Sequence, residues 1–155
     1  MGKILANRLK QEKFESPEQE AVLNILVTSN FFKTKLESVC SNYGITQAQY
    51  NVLRILKGIY PDGYPRCEII SRMIDPSPDV TRLLDRLIKA RLVERFNSNE
   101  DRRLSIARIT KKGIELLEKM YPEISVFNNL LKNNLTAEES KMISNICEKI
   151  YGSEK

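Results

Sequence analysis

The chain has 155 residues with 25 Lys+Arg against 20 Asp+Glu, three cysteines and no histidine. That length suits one domain of ordinary size, and 41% apolar with 29% charged residues is the composition of a folded soluble protein rather than a disordered tail. The missing histidine excludes Ser-His-Asp and Cys-His catalysis and every His-bearing zinc site; the odd cysteine count, with no CxxC spacing and no leading signal peptide, makes a cytosolic chain without a disulfide framework the expectation.

Residues 1 to 16 mix charge with isolated apolar residues and read as an N-terminal arm or short helix. From Pro17 to Tyr43 there is neither Gly nor a further Pro, and Ser16, Pro17, Glu18 and Glu20 combine a cap, a first-turn proline and carboxylates at the positive dipole end, which predicts one long helix. Its apolar residues, Val22, Leu23, Ile25, Leu26, Val27, Phe31, Phe32, Leu36 and Val39, cover an arc too wide for a helix that only coats a small domain, so contact with a partner is expected as well as core packing. Gly44 ends this helix, and Thr46 with Gln49 opens another at capping-box spacing. Val52, Leu53, Leu56 and Ile59 carry it to about Ile59. Pro61, Asp62, Gly63 and Pro65 then break the chain, with room for one short extended pair.

A short helix from Arg66 to about Ile74, burying Ile69, Ile70 and Met73, is stopped by Asp75-Pro76-Ser77-Pro78. The same stretch predicts the next helix, with Ser77 as N-cap, Pro78 at the first helical position and Asp79 beside the dipole. Val80, Leu83, Leu84, Leu87 and Ile88 form its packing face, leaving Asp79, Arg82, Asp85, Arg86 and Lys89 outside. Leu92–Phe96 and Leu104–Ile109 read as two strands joined by the polar tip Asn97 to Arg103. Thr110 opens a last long helical region bearing Ile114, Leu117, Tyr121, Ile124, Leu130 and Leu131, with Pro122 a point where it can break. Leu135, Thr136 and Glu139 open a terminal helix with Met142, Ile143, Ile146, Cys147 and Ile150.

Charge follows this order. Residues 66 to 113 hold twelve basic and seven acidic side chains, a surplus equal to that of the whole chain, between nearly neutral flanks. Two short helices across a tight break, the second with a basic outer face, followed by a hairpin with an arginine tip, is the order of a winged helix-turn-helix: a helix for the major groove and cations for the minor groove. The fold expected is mainly α with a small β-hairpin wing.

Within that order, Asp79-Val80-Thr81-Arg82-Leu83-Leu84-Asp85-Arg86-Leu87, Leu92-Val93-Glu94-Arg95, Asp101-Arg102-Arg103 and Thr110-Lys111-Lys112-Gly113 resemble the MarR family of transcription regulators, over roughly Thr46 to Gly113. Two departures stand out: Ala90-Arg91 where the family usually has a Gly before the strand, implying a less tightly turned helix end, and Asp75-Pro76-Ser77-Pro78 in place of a Ser/Thr-rich turn. The resemblance implies one domain over 1–155, with 46–113 as the winged part and the helices of 17–43 and 114–151 intertwining two copies. Such a homodimer would act as a regulator, and as a repressor in the leading reading, on pseudo-palindromic double-stranded DNA. The apolar excess outside the winged part agrees with a large apolar interface.

The residues assigned to DNA are Ser77, Asp79, Thr81, Arg82, Arg86, Asp101, Arg102 and Arg103. Ser77 and Thr81 suit phosphate or base edges, and Arg82 a bidentate guanine contact; Asp79 either reads cytosine or caps the helix. Arg103 is the minor-groove probe, Arg102 a phosphate contact or second probe, and Asp101 a brace to a helix arginine such as Arg86. Lys111 and Lys112 are phosphate contacts or, more commonly at a helix start, solvated.

An enzyme is not expected, because the carboxylate pairs Asp79/Asp85 and Glu138/Glu139 meet no phosphate loop, metal-ligand cluster or activated nucleophile. No cofactor, metal or membrane contact is expected either. The rival reading is a winged helix used only for protein contacts, which the basic face and arginine tip oppose. For a small-molecule effector, the family's pocket between dimer helices and winged part would involve Phe31, Phe32, Tyr43 or Tyr50, residues that first of all suit a core. An oxidant-sensing thiol would be best served by Cys67 beside Arg66, while Cys40 and Cys147 sit on apolar faces.

Overall fold

The computed structural model describes residues 2–76, 79–97 and 105–154. Of the residues assigned to DNA, Ser77, Asp101, Arg102 and Arg103 therefore lie outside the described residues. The chain separates into two compact units, residues 1–47 and 48–155.

The first unit holds a short helix, α1 (Lys3–Leu9), and the long helix α2 (Pro17–Asn42). Ser16 caps α2 as expected, its Oγ accepting from the Gln19 N–H at 3.2 Å, with Pro17 in the first turn. The helix ends in a Schellman turn: Gly44 stands at φ +70, its N–H donating to the Ser41 carbonyl, while the Ile45 N–H reaches back to Cys40. Of the 26 residues of α2 only Cys40 is buried, and Val22, Ile25 and Leu26 stay exposed.

The second unit takes in α3 (Gln47–Lys57) from Ala48 onward, followed by the two-residue strand β1 (Tyr64–Pro65), α4 (Arg66–Arg72) and α5 (Val80–Lys89). Then come β2 (Val93–Asn97), β3 (Ser105–Ile109), α6 (Lys111–Asn134) and α7 (Ala137–Tyr151). The three strands form one antiparallel sheet in the order β1-β3-β2, with Tyr64 opposite Ala107 and Arg95 opposite Ala107 from the other side. Gly63 is needed at the head of β1: a Cβ there would strike the Ala107 carbonyl and come within 2.8 Å of Ile106 Cγ2. The core is built from Val52, Leu53 and Leu56 of α3, Ile69 of α4, and Val80, Leu84 and Leu87 of α5, closed by Leu92, Val93, Ala107, Ile109, Leu117 and Met120. In β3 the buried face carries Ala107 and Ile109, and Ile106 lies half-buried on the other.

Two local expectations are corrected. Helix α5 begins at Val80 with Asp79 in the N-cap position, two residues beyond the start predicted from Ser77 and Pro78. The end of α5 is tightly turned despite the missing glycine: Arg91 itself takes the left-handed conformation at φ 60, its N–H donating to Ile88 O at 2.8 Å and the Leu92 N–H to Leu87 O at 2.9 Å. The long helical region expected from Thr110 is a single helix, α6, which passes Pro122 and runs unbroken for 24 residues.

The motif Thr110-Lys111-Lys112-Gly113 explains the second correction. Thr110 caps α6 by accepting from the Gly113 N–H at 3.1 Å and also donates its hydroxyl to the Arg91 carbonyl at 2.8 Å. Lys112 Nζ donates to the Ala90 carbonyl at 3.0 Å, so this exposed lysine also ties down the turn. Gly113 is buried against that turn, where a Cβ would meet the Leu92 carbonyl and stand 2.7 Å from Ile109 Cγ1. The left-handed arginine, which costs about 1 kcal/mol relative to glycine, is thus held by hydrogen bonds from the next element.

Helix α7 opens on the predicted capping box, Glu139 N–H donating to Thr136 Oγ1 at 3.1 Å and Thr136 N–H to Glu139 Oε2 at 2.8 Å. None of its residues is buried; Met142, Ile143, Ile146 and Ile150 are 60, 48, 47 and 53% exposed. Among the described residues no helix is long and apolar enough to cross a membrane.

Candidate nucleic-acid interface

Helix α5 divides cleanly. Val80, Leu84 and Leu87 are buried, and Thr81, Arg82, Asp85, Arg86 and Lys89 are all exposed, so one side is committed to the core and the other is open along the helix. The turn before it is fastened to α3 through the Ile74 N–H, which donates to Asn51 Oδ1 at 2.9 Å. This holds the helix-turn-helix at the end from which a recognition helix reads base edges.

The basic side chains described between residues 66 and 113 can now be sorted by partner. Arg72 pairs with Glu68 at 2.9 Å and covers the Tyr64 ring at 4.6 Å. Arg108 pairs with Glu94 at 2.8 Å, donates to the Pro61 carbonyl and stacks over Phe96 at 4.8 Å, all on the outer side of the sheet. Arg91 and Lys112 belong to the turn after α5. Among the described residues of this segment, the cations in no ion pair are Arg66, Arg86, Lys89, Arg91, Lys111 and Lys112, all of them exposed.

Arg82 lies 3.3 Å from Asp79 with 78% of its side chain exposed. A pair so exposed is worth about 0–1 kcal/mol, so the guanidinium can leave Asp79 at little cost. Asp79 stands at the N-cap position of α5 without a side-chain capping hydrogen bond to the helix, and its carboxylate pairs with Arg82. Arg86 and Lys89 are in no ion pair among the described residues.

Thr81 does not simply face outward. Its Oγ1 accepts from Arg66 Nη1 at 3.0 Å, joining α5 to the first residue of α4. The brace between helix and wing runs from the wing to the helix: Arg95 of β2 donates to Asp85 Oδ1 of α5 at 3.3 Å. The expected brace from Asp101 to Arg86 lies outside the described residues. Arg66 and Arg95 were not singled out by sequence reading, because nothing within a few residues of either marks its partner; the separations are 15 and 10 positions.

The three cysteines differ in burial, with Cys147 of α7 half-buried. Cys67 is exposed, next to Arg66, while Cys40 is fully buried and its thiol is pushed up to about 11 by that burial. Among the described residues, no three acidic or cysteine side chains are grouped to hold a metal ion.

No profile of a known protein family matches the chain. It is 30% identical over 108 residues to the HTH-type transcriptional regulator PapX of Escherichia coli, a match covering 70% of this chain and 66% of PapX. It is 31% identical to a MarR transcription factor from Planctomyces limnophilus whose crystal structure is known, covering 88% of this chain and 98% of that one, with a TM-score of 0.66. The fold is also that of S. aureus MepR in its complex with DNA: TM-score 0.74 at 24% identity, covering 83% of this chain and 94% of MepR.

Proposed function

The chain belongs to the MarR family of winged helix-turn-helix regulators, and from that premise we propose that it is a sequence-specific DNA-binding transcriptional regulator, a repressor acting as a homodimer on a pseudo-palindromic operator. The observation that carries the reading is the division of α5, whose exposed side presents Thr81, Arg82 and Arg86 while the opposite side is locked in the core. Arg82 takes a guanine in the major groove, Arg86 and Lys89 follow phosphate, and Asp79 holds Arg82 until DNA arrives. Ser77 joins them at the helix start, and in the wing Arg103 enters the minor groove with Arg102 on phosphate or as a second probe and Asp101 as brace. The exposed apolar row of α7 supports pairing of two copies, which presents two such helices about one helical turn of DNA apart. The protein works in the cytoplasm and catalyses nothing.

A gel shift at controlled salt, with operator selected from random duplex DNA, tests the reading. The expected selection is a pseudo-palindrome, bound with a steep salt dependence that reports several phosphate contacts. Arg103→Ala should weaken binding by roughly tenfold or more without lowering the melting temperature. Unaltered affinity in that variant would remove the wing from the interface, and a wild-type protein with no salt-dependent DNA binding would leave the winged helix as a protein-interaction module.

A further inference from the structure

We propose that Arg66 is a DNA-backbone contact, which with Thr81 and Arg95 clamps the phosphate strand that separates the two grooves; the proposal rests on the DNA-binding reading above. Arg66 is the first residue of α4 and is exposed. One of its five N–H donors is engaged by Thr81 Oγ1 at 3.0 Å, and none is engaged by a carboxylate among the described residues. Arg66, Thr81, Leu84, Arg95, Ser105 and Ala107 line a single cleft between the start of α5 and the wing strands β2 and β3.

The position of this cleft is what selects its occupant. A recognition helix in the major groove and a wing in the adjacent minor groove lie on either side of one sugar-phosphate strand, which must cross the gap between them. That gap is the cleft. Its polar lining suits an anion: two guanidinium groups and the hydroxyls of Thr81 and Ser105. The carboxylate nearby, Asp85, is engaged by Arg95, leaving one net positive charge to meet the single charge of a phosphodiester.

The hydrogen bond from Arg66 also sets the polarity of Thr81. A hydroxyl has one proton to give and two lone pairs. With one lone pair taken by a guanidinium, Thr81 is oriented to donate outward, toward phosphate oxygen. Arg66 thus acts twice, as a cation at the strand and as the group that turns Thr81 toward it.

The test uses the full chain, a random-sequence DNA duplex and the best duplex selected from the same pool, with affinities measured across a salt series. Arg66→Gln should lower affinity roughly tenfold for both duplexes by the same factor, and reduce the slope of log affinity against log salt by about one. Arg66→Lys, which keeps the charge and guards against a folding artefact, should keep the wild-type slope and recover part of the affinity. A Gln variant with wild-type slope and affinity overturns the clamp, and a loss confined to the selected duplex overturns it by making Arg66 a base reader. A wild-type protein that binds neither duplex removes the DNA reading itself, and the clamp with it.

Discussion

Helices α5 and α7 are both amphipathic and differ in where their apolar faces go. The ten residues of α5 bury Val80, Leu84 and Leu87 within the chain; the fifteen of α7, with a complete capping box, bury nothing. Fully burying one such side chain is worth about 1.5–3 kcal/mol, so the row Met142, Ile143, Ile146 and Ile150 leaves a large stabilisation unrealised in a single copy. A helix this well started and this poorly covered is built for a surface supplied from outside, whereas α5 is supported from within so that its other side can be offered to DNA. The same amphipathic pattern therefore has two meanings, decided by whether the chain itself provides the opposing face.

The contrast can be broken first at α7. Ile146→Glu places a charge on the apolar row of each copy, and two uncompensated charges at one interface cost several kcal/mol, on the order of a hundredfold or more in dimer affinity. Light scattering should then find a monomer at concentrations where the wild type is a dimer, with operator binding lost in parallel. A dimeric Ile146→Glu protein with unchanged DNA affinity would move pairing away from α7.

A change at the joint between wing and α6 should act on the other region alone. Gly113→Ala gains up to about 1 kcal/mol of helix propensity but drives a methyl into the Leu92 carbonyl and Ile109, for a net loss of about 2 kcal/mol. The melting temperature should fall while the mass stays dimeric; an unmoved melting temperature would mean that the turn yields freely. The smallest effect belongs to Arg91→Gly, which relieves the left-handed arginine and should stabilise the protein by about 0.5–1 kcal/mol in chemical denaturation, where Arg91→Ala does not.

How much of this was legible in the amino-acid order follows from the range of the interactions. Caps at Ser16, Thr110 and Thr136 involve a side chain and a backbone group three residues on, and a glycine at position 44 marks a left-handed turn by itself. Those features could be read locally, as could the division of α5 and the uncovered face of α7. The start of α5 cannot be read locally, because Ser77 and Asp79 are both residue types that suit an N-cap position and nothing nearby chooses between them. The turn at Arg91 was expected to be loose because its supports, Thr110 and Lys112, come 19 and 22 residues after the carbonyls they bind. Arg66 with Thr81 and Arg95 with Asp85 were hidden for the same reason: each pair exists only once the sheet has set the wing beside the helix.

The unbroken passage of α6 through Pro122 has a mechanical consequence. Twenty-four helical residues at 1.5 Å each make a rod of about 36 Å, fixed at one end to the turn after α5 by Gly113 and Thr110 and continuing at the other toward α7. On a lever of that length a tilt of about ten degrees sweeps the far end through about 6 Å. In a dimer joined through α7, a slight rocking of the seam between the copies would be magnified into a change of reach between the two reading heads comparable to nearly two base-pair steps of 3.4 Å along DNA.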